Sequence, residues 1–340
     1  MTCRIVAELS CNHSGSLERA LALVDAVADA GAHAVKLQTW TPGAMVLDRS
    51  IVLRDGPWVG TNLAELYEQA HTPWAWHLDI FKRARGRGIE AFSSCFDLDS
   101  LRFLESIDCP RYKVASFELV DLRLIRALAA TKKPLILSTG MATAEEIDFA
   151  VEAAREAGCR DLTLMKCTSA YPADGSSANL ATMRTMARRW SVDVGLSDHT
   201  PGVGVAIAAA ALGASMIEKH FTLWRAEQGF DANFSIEAPE LKVLVEEARR
   251  VEKALGEPDH YGPTEHEKPQ LELRRSLYFA EDLAPGSFIG EQHITTARPA
   301  RGISPRFYRR VLGAKVLVGV HRGQPVSWEV LAPRQPAGVA

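Results

Sequence analysis

Residues 192–221 read VDVGLSDHTPGVGVAIAAAALGASMIEKHF. Val192–Leu196 and Ser215–Ile217 are short apolar runs of the kind that form buried strands, and Val203–Gly213 between them has the composition of a helix. A strand, a crossover helix and a second strand of this length make a parallel pair. His199 and His220 then stand at the same ends of two neighbouring strands. Two imidazoles at that place suit a divalent cation whose shell substrate oxygens complete. A histidine near a strand end is as readily a structural hydrogen-bonder, so both readings stand at this level, with Asp198, Glu218 and Lys219 as flanking charges.

Working outward, the same alternation fills the chain. Strands are expected at Arg4–Leu9, Ala34–Thr39, Glu90–Ser94, Arg111–Ser116, Pro134–Ser138 and Leu162–Lys166. Helical spacing of apolar residues marks Leu17–Ala30, with Ser16 as N-cap and Gly31 as terminator. It also marks Trp74–Arg87, Leu122–Thr131, Asn179–Trp190 and Pro239–Leu255. Thr143 opens a further helix to Ala157, with Glu146 at the capping-box position. Eight strand-then-helix units in residues 1–255 match a (β/α)8 TIM barrel. A doubly wound open sheet is the alternative, but no Gly-x-Gly-x-x-Gly turn follows the first strand. The stretch Trp40–Pro73 is too long for a connection and reads as a lid or substrate wall.

After Leu255 the composition changes. Residues 256–273 are polar and Pro-containing, a linker. Residues 274–334 carry short β-type runs (Ser276–Phe279, Val311–Ala314, Val316–Val320) broken by Gly and Pro, a small β-rich module with a basic segment, Arg298–Arg310.

Bulk properties exclude several classes. The 340 residues carry a net charge of -3, which leaves no nucleic-acid footprint. The six cysteines form no CxxC pair and read as reduced thiols of a cytoplasmic protein. No apolar run approaches the ~20 residues of a membrane span.

Nearly every expected strand ends in chemistry: Glu8; Lys36 and Gln38; Ser94; Lys113, Ser116 and Glu118; Ser138; Lys166 and Ser169; Ser197; His199 and His220. A barrel gathers these ends into one mouth. Lysines and hydroxyls together suit a phosphate-bearing anion. Glu8 and Glu118 suit handling of a water or neutralising of the lysines, while Tyr171 and Asp231 suit a polyhydroxyl partner. A Schiff-base aldolase using Lys36, Lys113 or Lys166 competes with this reading, as does a sugar-binding protein without turnover.

Seven motifs, in order, carry a resemblance. They are Ala-Glu-Leu-Ser-x-Asn-His-x-Gly from Ala7, Ala-Val-Lys-Leu-Gln-Thr from Ala34, Tyr-Lys-Val-Ala-Ser-Phe-Glu from Tyr112 and Ser-Thr-Gly-Met-Ala from Ser138. Lys-Cys-Thr-Ser-x-Tyr-Pro from Lys166, Gly-Leu-Ser-Asp-His-Thr from Gly195 and Ile-Glu-Lys-His-Phe-Thr-Leu from Ile217 complete the set. Together they resemble the sialic acid (nonulosonic acid) synthase family over nearly the whole chain. Arg-Arg-Ser-Leu-Tyr from Arg274 and Arg298-Pro299 resemble that family's C-terminal antifreeze-like, or SAF, domain. Gln38-Thr-Trp-Thr-Pro, Gly56-Pro-Trp-Val-Gly, Leu66-Tyr-Glu-Gln-Ala and Thr72-Pro-Trp-Ala-Trp resemble the pseudaminic acid synthase branch most.

The resemblance implies a phosphoenolpyruvate-dependent transferase. It would condense phosphoenolpyruvate with an open-chain acetamido sugar, 2,4-diacetamido-2,4,6-trideoxy-altrose in that branch, and water, giving a nine-carbon 2-keto acid and phosphate. N-acetylneuraminate or legionaminate synthesis is the alternative. By the same implication His199 and His220 bind Mn2+, or else Mg2+ or Co2+. Lys36, Ser94, Lys113, Ser116, Ser138, Ser169 and Ser197 surround phosphoenolpyruvate. Glu8, Gln38, Tyr171 and Asp231 face the sugar, and Glu118 manages the attacking water. Arg298 reaches into the barrel of a partner subunit in a domain-swapped homodimer. The sequence departs from the family pattern at Cys11, Cys95, Ser169, Ala300 and Ile303, while every charged and metal-ligand position is kept. Trp58, Trp74 and Trp76 are candidate walls for a deoxy-methyl group or plain loop packing. His13 is a candidate substrate contact, and His71, His77, His260 and His293 read as surface or structural.

Overall fold

The computed structural model describes residues 3–227 and 229–332, in two units that divide after Gly256. Pro333 and Arg334, the end of the expected C-terminal module, lie outside the described residues, as do Met1 and Thr2.

The first unit is a closed eight-stranded parallel barrel. It begins β1 (Arg4–Glu8), α1 (Leu17–Asp29), β2 (Ala34–Thr39), α2 (Pro42–Met45), α3 (Leu63–Ala70) and α4 (Trp74–Gly86). There follow β3 (Glu90–Cys95), α5 (Leu98–Ser106), β4 (Tyr112–Val114), α6 (Leu122–Ala130), β5 (Leu135–Ser138) and α7 (Ala144–Glu156). β6 (Leu162–Cys167), α8 (Thr182–Trp190), β7 (Asp193–Asp198), α9 (Gly204–Ala211), β8 (Met216–His220) and α10 (Ala238–Leu255) complete it. β8 pairs with β1 through Arg4↔Met216 to Glu8↔His220, which closes the sheet. The TIM-barrel reading is therefore borne out.

Local sequence explains the boundaries. Ser16 accepts from the Arg19 amide at the start of α1, and Gly31 at φ +78 ends it. Thr143 and Glu146 form the expected capping box of α7. The longer helices bury an apolar face, such as Leu124, Ile125 and Leu128 of α6, against the strands. Each such side chain contributes about 1.5–3 kcal/mol.

Three details add to or differ from the sequence reading. α5 crosses from β3 to β4, with Asp97 accepting from the Ser100 amide and Leu101 and Leu104 buried on one face; the sequence reading passed over it. β4 is three residues long, because Ser116–Glu118 turn into a 3-10 helix. The Trp40–Pro73 insertion contains α2, α3 and an antiparallel bridge between Val52 and Asn62. Its own core joins Trp40, Tyr67 and Ala70 to Cys11, Phe96 and Phe230, which follow β1, β3 and β8. The insertion thus sits over the carboxyl ends of the strands.

The second unit contains β9 (Ser276–Phe279) paired antiparallel with β10 (Ile294–Ala297). Val311, expected to open a strand, ends instead a one-turn helix, α11 (Tyr308–Val311), which buries Val311 completely before Gly313 turns at φ +73. Isolated bridges such as Val316↔Leu331 replace longer strands. Leu277, Phe279, Val311, Val316 and Val326 form its core. Among the described residues, no helix is long and apolar enough to cross a membrane.

Candidate active site

Alternation along β8 turns Glu218 and His220 to one face and Lys219 to the other. Glu218 then meets Lys113 at 2.6 Å and Lys36 at 3.7 Å. Lys36 also pairs with Glu8 and donates to Ser94 Oγ at 2.9 Å, while Ser197 Oγ donates to Glu218 at 3.3 Å. Glu8, Lys36, Ser94, Lys113, Ser197 and Glu218 are all buried. Burial pulls the Lys36 ammonium down to about 7, against the pull of Glu218. Burial would raise Glu218, but the Lys113 and Lys36 charges outweigh it and hold the carboxyl below its usual range. Buried charges of this density persist only when paired. Lys219, on the outer face, is spent on Asp198 at 2.8 Å and the Thr200 carbonyl at 2.7 Å, a clasp between the ends of β7 and β8.

Beside this network the His199 and His220 rings lie 5.3 Å apart. His199 Nδ1 is 2.9 Å from the Thr168 carbonyl, an arrangement that assigns the proton to Nδ1 and leaves Nε2 as the candidate ligand atom. Burial would lower this ring, but its hydrogen bond to Cys167 outweighs that and raises it. His220 Nδ1 is buried without a formed hydrogen bond, 3.4 Å from Asp231, which in turn accepts from Ser10 Oγ. Burial lowers His220, so it stays neutral, the state a metal ligand requires. The pair therefore fits a divalent cation held by two nitrogens. Among the described residues no cluster of three or more His, Cys, Asp or Glu side chains could hold a metal, so other ligands would come from substrate and water. Cys167 neighbours this pair. Burial would raise its thiol, but His199 beside it outweighs this and brings it down to about 6.

Hydroxyls and rings complete the mouth. Ser116 Oγ accepts from the Gly140 amide at 3.1 Å, and a Cβ at Gly140 would collide with Ser116 and Ser169. Only glycine leaves that small polar cradle open. Ser138 is buried at the end of β5, and Gln38 is half-buried on the same face of β2 as Lys36. Glu118 is half-buried, its Oε2 has no partner, and burial pushes its carboxyl up to about 7, with Asp121 adding to the rise. The Tyr171 ring packs 4.3 Å from His199 and 5.2 Å from Phe234.

The structure also separates candidates. Asp231 lies behind His220, in contact with that ring and Ser10, rather than standing free in the mouth. Lys166 turns to the Cys167 carbonyl at 3.0 Å and does not join the network. His13 is buried edge-on to Trp76 and bonded to Thr72 Oγ1, a packing role. Trp74 stacks on Phe103 at 4.5 Å. Arg298 is exposed in the second unit. Glu218, named in sequence only as a charge flanking His220, is the centre of the charge network; the period-two spacing to His220 was its signal. Cys167 had none.

Known proteins match this architecture. The NeuB family pattern covers residues 23–260, and the SAF domain pattern covers residues 274–332. The pseudaminic acid synthase of Helicobacter pylori is 42% identical over 328 residues, 95% of this chain and 96% of that one. The N,N'-diacetyllegionaminic acid synthase of Campylobacter jejuni subsp. jejuni is 33% identical over 317 residues, 91% of this chain and 94% of that one. The crystal structure of the N-acetylneuraminic acid synthetase of Leptospira borgpetersenii superposes with a TM-score of 0.72 at 31% identity, covering 80% of this chain and 91% of that one. This chain belongs to the NeuB family and carries a C-terminal SAF domain.

Proposed function

We propose that the protein condenses phosphoenolpyruvate with 2,4-diacetamido-2,4,6-trideoxy-altrose and water, giving pseudaminic acid and phosphate. The observation that carries this reading is the buried Lys36–Glu218–Lys113 bridge beside the two-histidine pair. Two ammonium groups, balanced by Glu8 and Glu218, form a site where an entering trianion gains strong charge-assisted hydrogen bonds from Lys36 and Lys113. Ser94, Ser116, Ser138, Ser169 and Ser197 supply neutral donors around them. The greater identity to the pseudaminic acid synthase, 42% against 33%, favours that sugar over legionaminate precursors.

In this reading C3 of phosphoenolpyruvate forms a bond to the sugar aldehyde carbon, and the aldehyde oxygen takes a proton. Water adds at C2, and the C2 carbon releases phosphate to leave a 2-keto acid. Glu118, with its carboxyl near neutrality, takes the proton from that water. Asp231 holds the His220 ring, Tyr171 and Gln38 orient the sugar chain, and Glu8 fixes Lys36. A divalent ion at His199 and His220, Mn2+ in this proposal, supplies Lewis-acid polarisation of the aldehyde when bound. Arg298 completes the site from the partner subunit of a homodimer. A cytoplasmic location suits six free, buried thiols.

The test is product analysis with phosphoenolpyruvate and a sugar panel. Phosphate release should require the diacetamido sugar and stop after EDTA treatment. Activity that survives EDTA would remove the metal from the reading, and faster turnover of N-acetylmannosamine would replace the sugar.

A further inference from the structure

Of the three tryptophans in and beside the insertion that were candidates for a substrate wall, one differs from the others. Trp58 is half-buried, whereas Asp55, Gly56, Pro57, Val59 and Gly60 around it are exposed. Its ring lies 5.6 Å from Tyr171 and 6.3 Å from Phe234, the two rings that pack against the histidine pair. Its Nε1 donates to the Phe230 carbonyl at 2.9 Å. The loop that carries it is closed on itself, with Leu53 N to Thr61 O at 3.0 Å and Gly60 N to Leu53 O at 2.8 Å. One indole is therefore presented to the mouth by a self-supporting loop.

The chemistry of that wall is restrictive. The single donor of the indole is already committed, so the ring offers a substrate only apolar surface. Trp58 also stands one ring further from the histidines than Tyr171. With the aldehyde carbon at His199 and His220, the group that meets Trp58 is the far end of the sugar chain. A hydroxymethyl there would lose water without gaining a partner, while a methyl loses nothing.

We propose that Trp58 is a specificity-determining residue that selects a 6-deoxy sugar by packing against its terminal methyl. The inference rests on the synthase reading above. An apolar wall rejects an added hydroxyl only moderately, so the expected preference is about tenfold to a hundredfold in kcat/KM.

The experiment compares 2,4-diacetamido-2,4,6-trideoxy-altrose with its 6-hydroxy counterpart by phosphate release, in the full-length protein and three variants. Trp58→Ala should lose about tenfold of the preference through the deoxy sugar alone, with the KM for phosphoenolpyruvate unchanged. Trp58→Phe should retain the preference. Trp58→Gln, which places a hydrogen-bonding group at the same position, should shift it toward the 6-hydroxy sugar and serves if the Ala variant does not fold. An active wild type whose preference is the same in the Ala and Gln variants would overturn the role of Trp58 and leave the synthase reading standing. A wild type that releases phosphate with neither sugar would overturn both.

Discussion

Glu218 is the residue on which two lysines depend. Without it Lys36 and Lys113 would face each other in a buried space with Glu8 as the remaining counter-charge. Glu218→Gln should therefore destabilise the protein by about 3–5 kcal/mol, as loss of one partner from a buried pair does, read as a lowered midpoint in thermal or urea unfolding. Glu118 is the opposite case, a half-buried carboxyl whose Oε2 has no partner. Its ordinary value of 4.5 rises to about 7 in the fold. Below pH 4.5 it is protonated whether folded or unfolded, so it then has no effect on stability. Between these values the folded state binds the extra proton, and stability falls as pH rises, reaching the full penalty above about 7. Glu118→Gln should leave stability unchanged near pH 4 and raise it by up to roughly 3 kcal/mol at pH 8. Denaturant melts at both pH values check this, and an equal effect at both would contradict it. Much of this was legible beforehand, because a Lys or Glu inside an apolar strand states its own cost. The place of Asp231 behind His220 was not, since it follows from the path of a loop that no periodicity describes.

Among the elements, the β7–β8 pair sets the spacing of the histidines. Gly195 lies where a Cβ would come within 2.6 Å of the Met216 carbonyl oxygen, a backbone atom that cannot step aside. Gly195→Ala should cost about 1–3 kcal/mol through overpacking and weaken the proposed metal binding by separating the strand ends. Calorimetric titration with Mn2+ on folded variant protein measures the second effect; unchanged affinity would show that the strand ends move independently of Gly195. Sequence reading succeeded where one face of an element is buried, as in α1 and α7 with their caps. It passed over α5, although that helix is as long as α6 and buries Leu101 and Leu104 on one face. It misread Val311, where a β-branched residue was recruited into the core by a single helical turn.

At the scale of the whole molecule, two units with separate cores share one chain. The proposed homodimer would give the second unit a role, with Arg298 completing the partner's barrel. Arg298→Ala and His220→Ala should each be inactive alone. Mixed and reassembled, they should recover up to about a quarter of wild-type activity, because half the dimers then hold one site free of both lesions. No recovery from reassembled dimers would place Arg298 in its own subunit's site.

The most direct measurement of the central claim is mass spectrometry of the product formed from phosphoenolpyruvate and 2,4-diacetamido-2,4,6-trideoxy-altrose, with phosphate counted in the same reaction. The account predicts a nine-carbon 2-keto acid and one phosphate for each sugar consumed, absent in His199→Ala and Lys113→Met. Phosphate released without a condensed product, or a product unaffected by both substitutions, would contradict it.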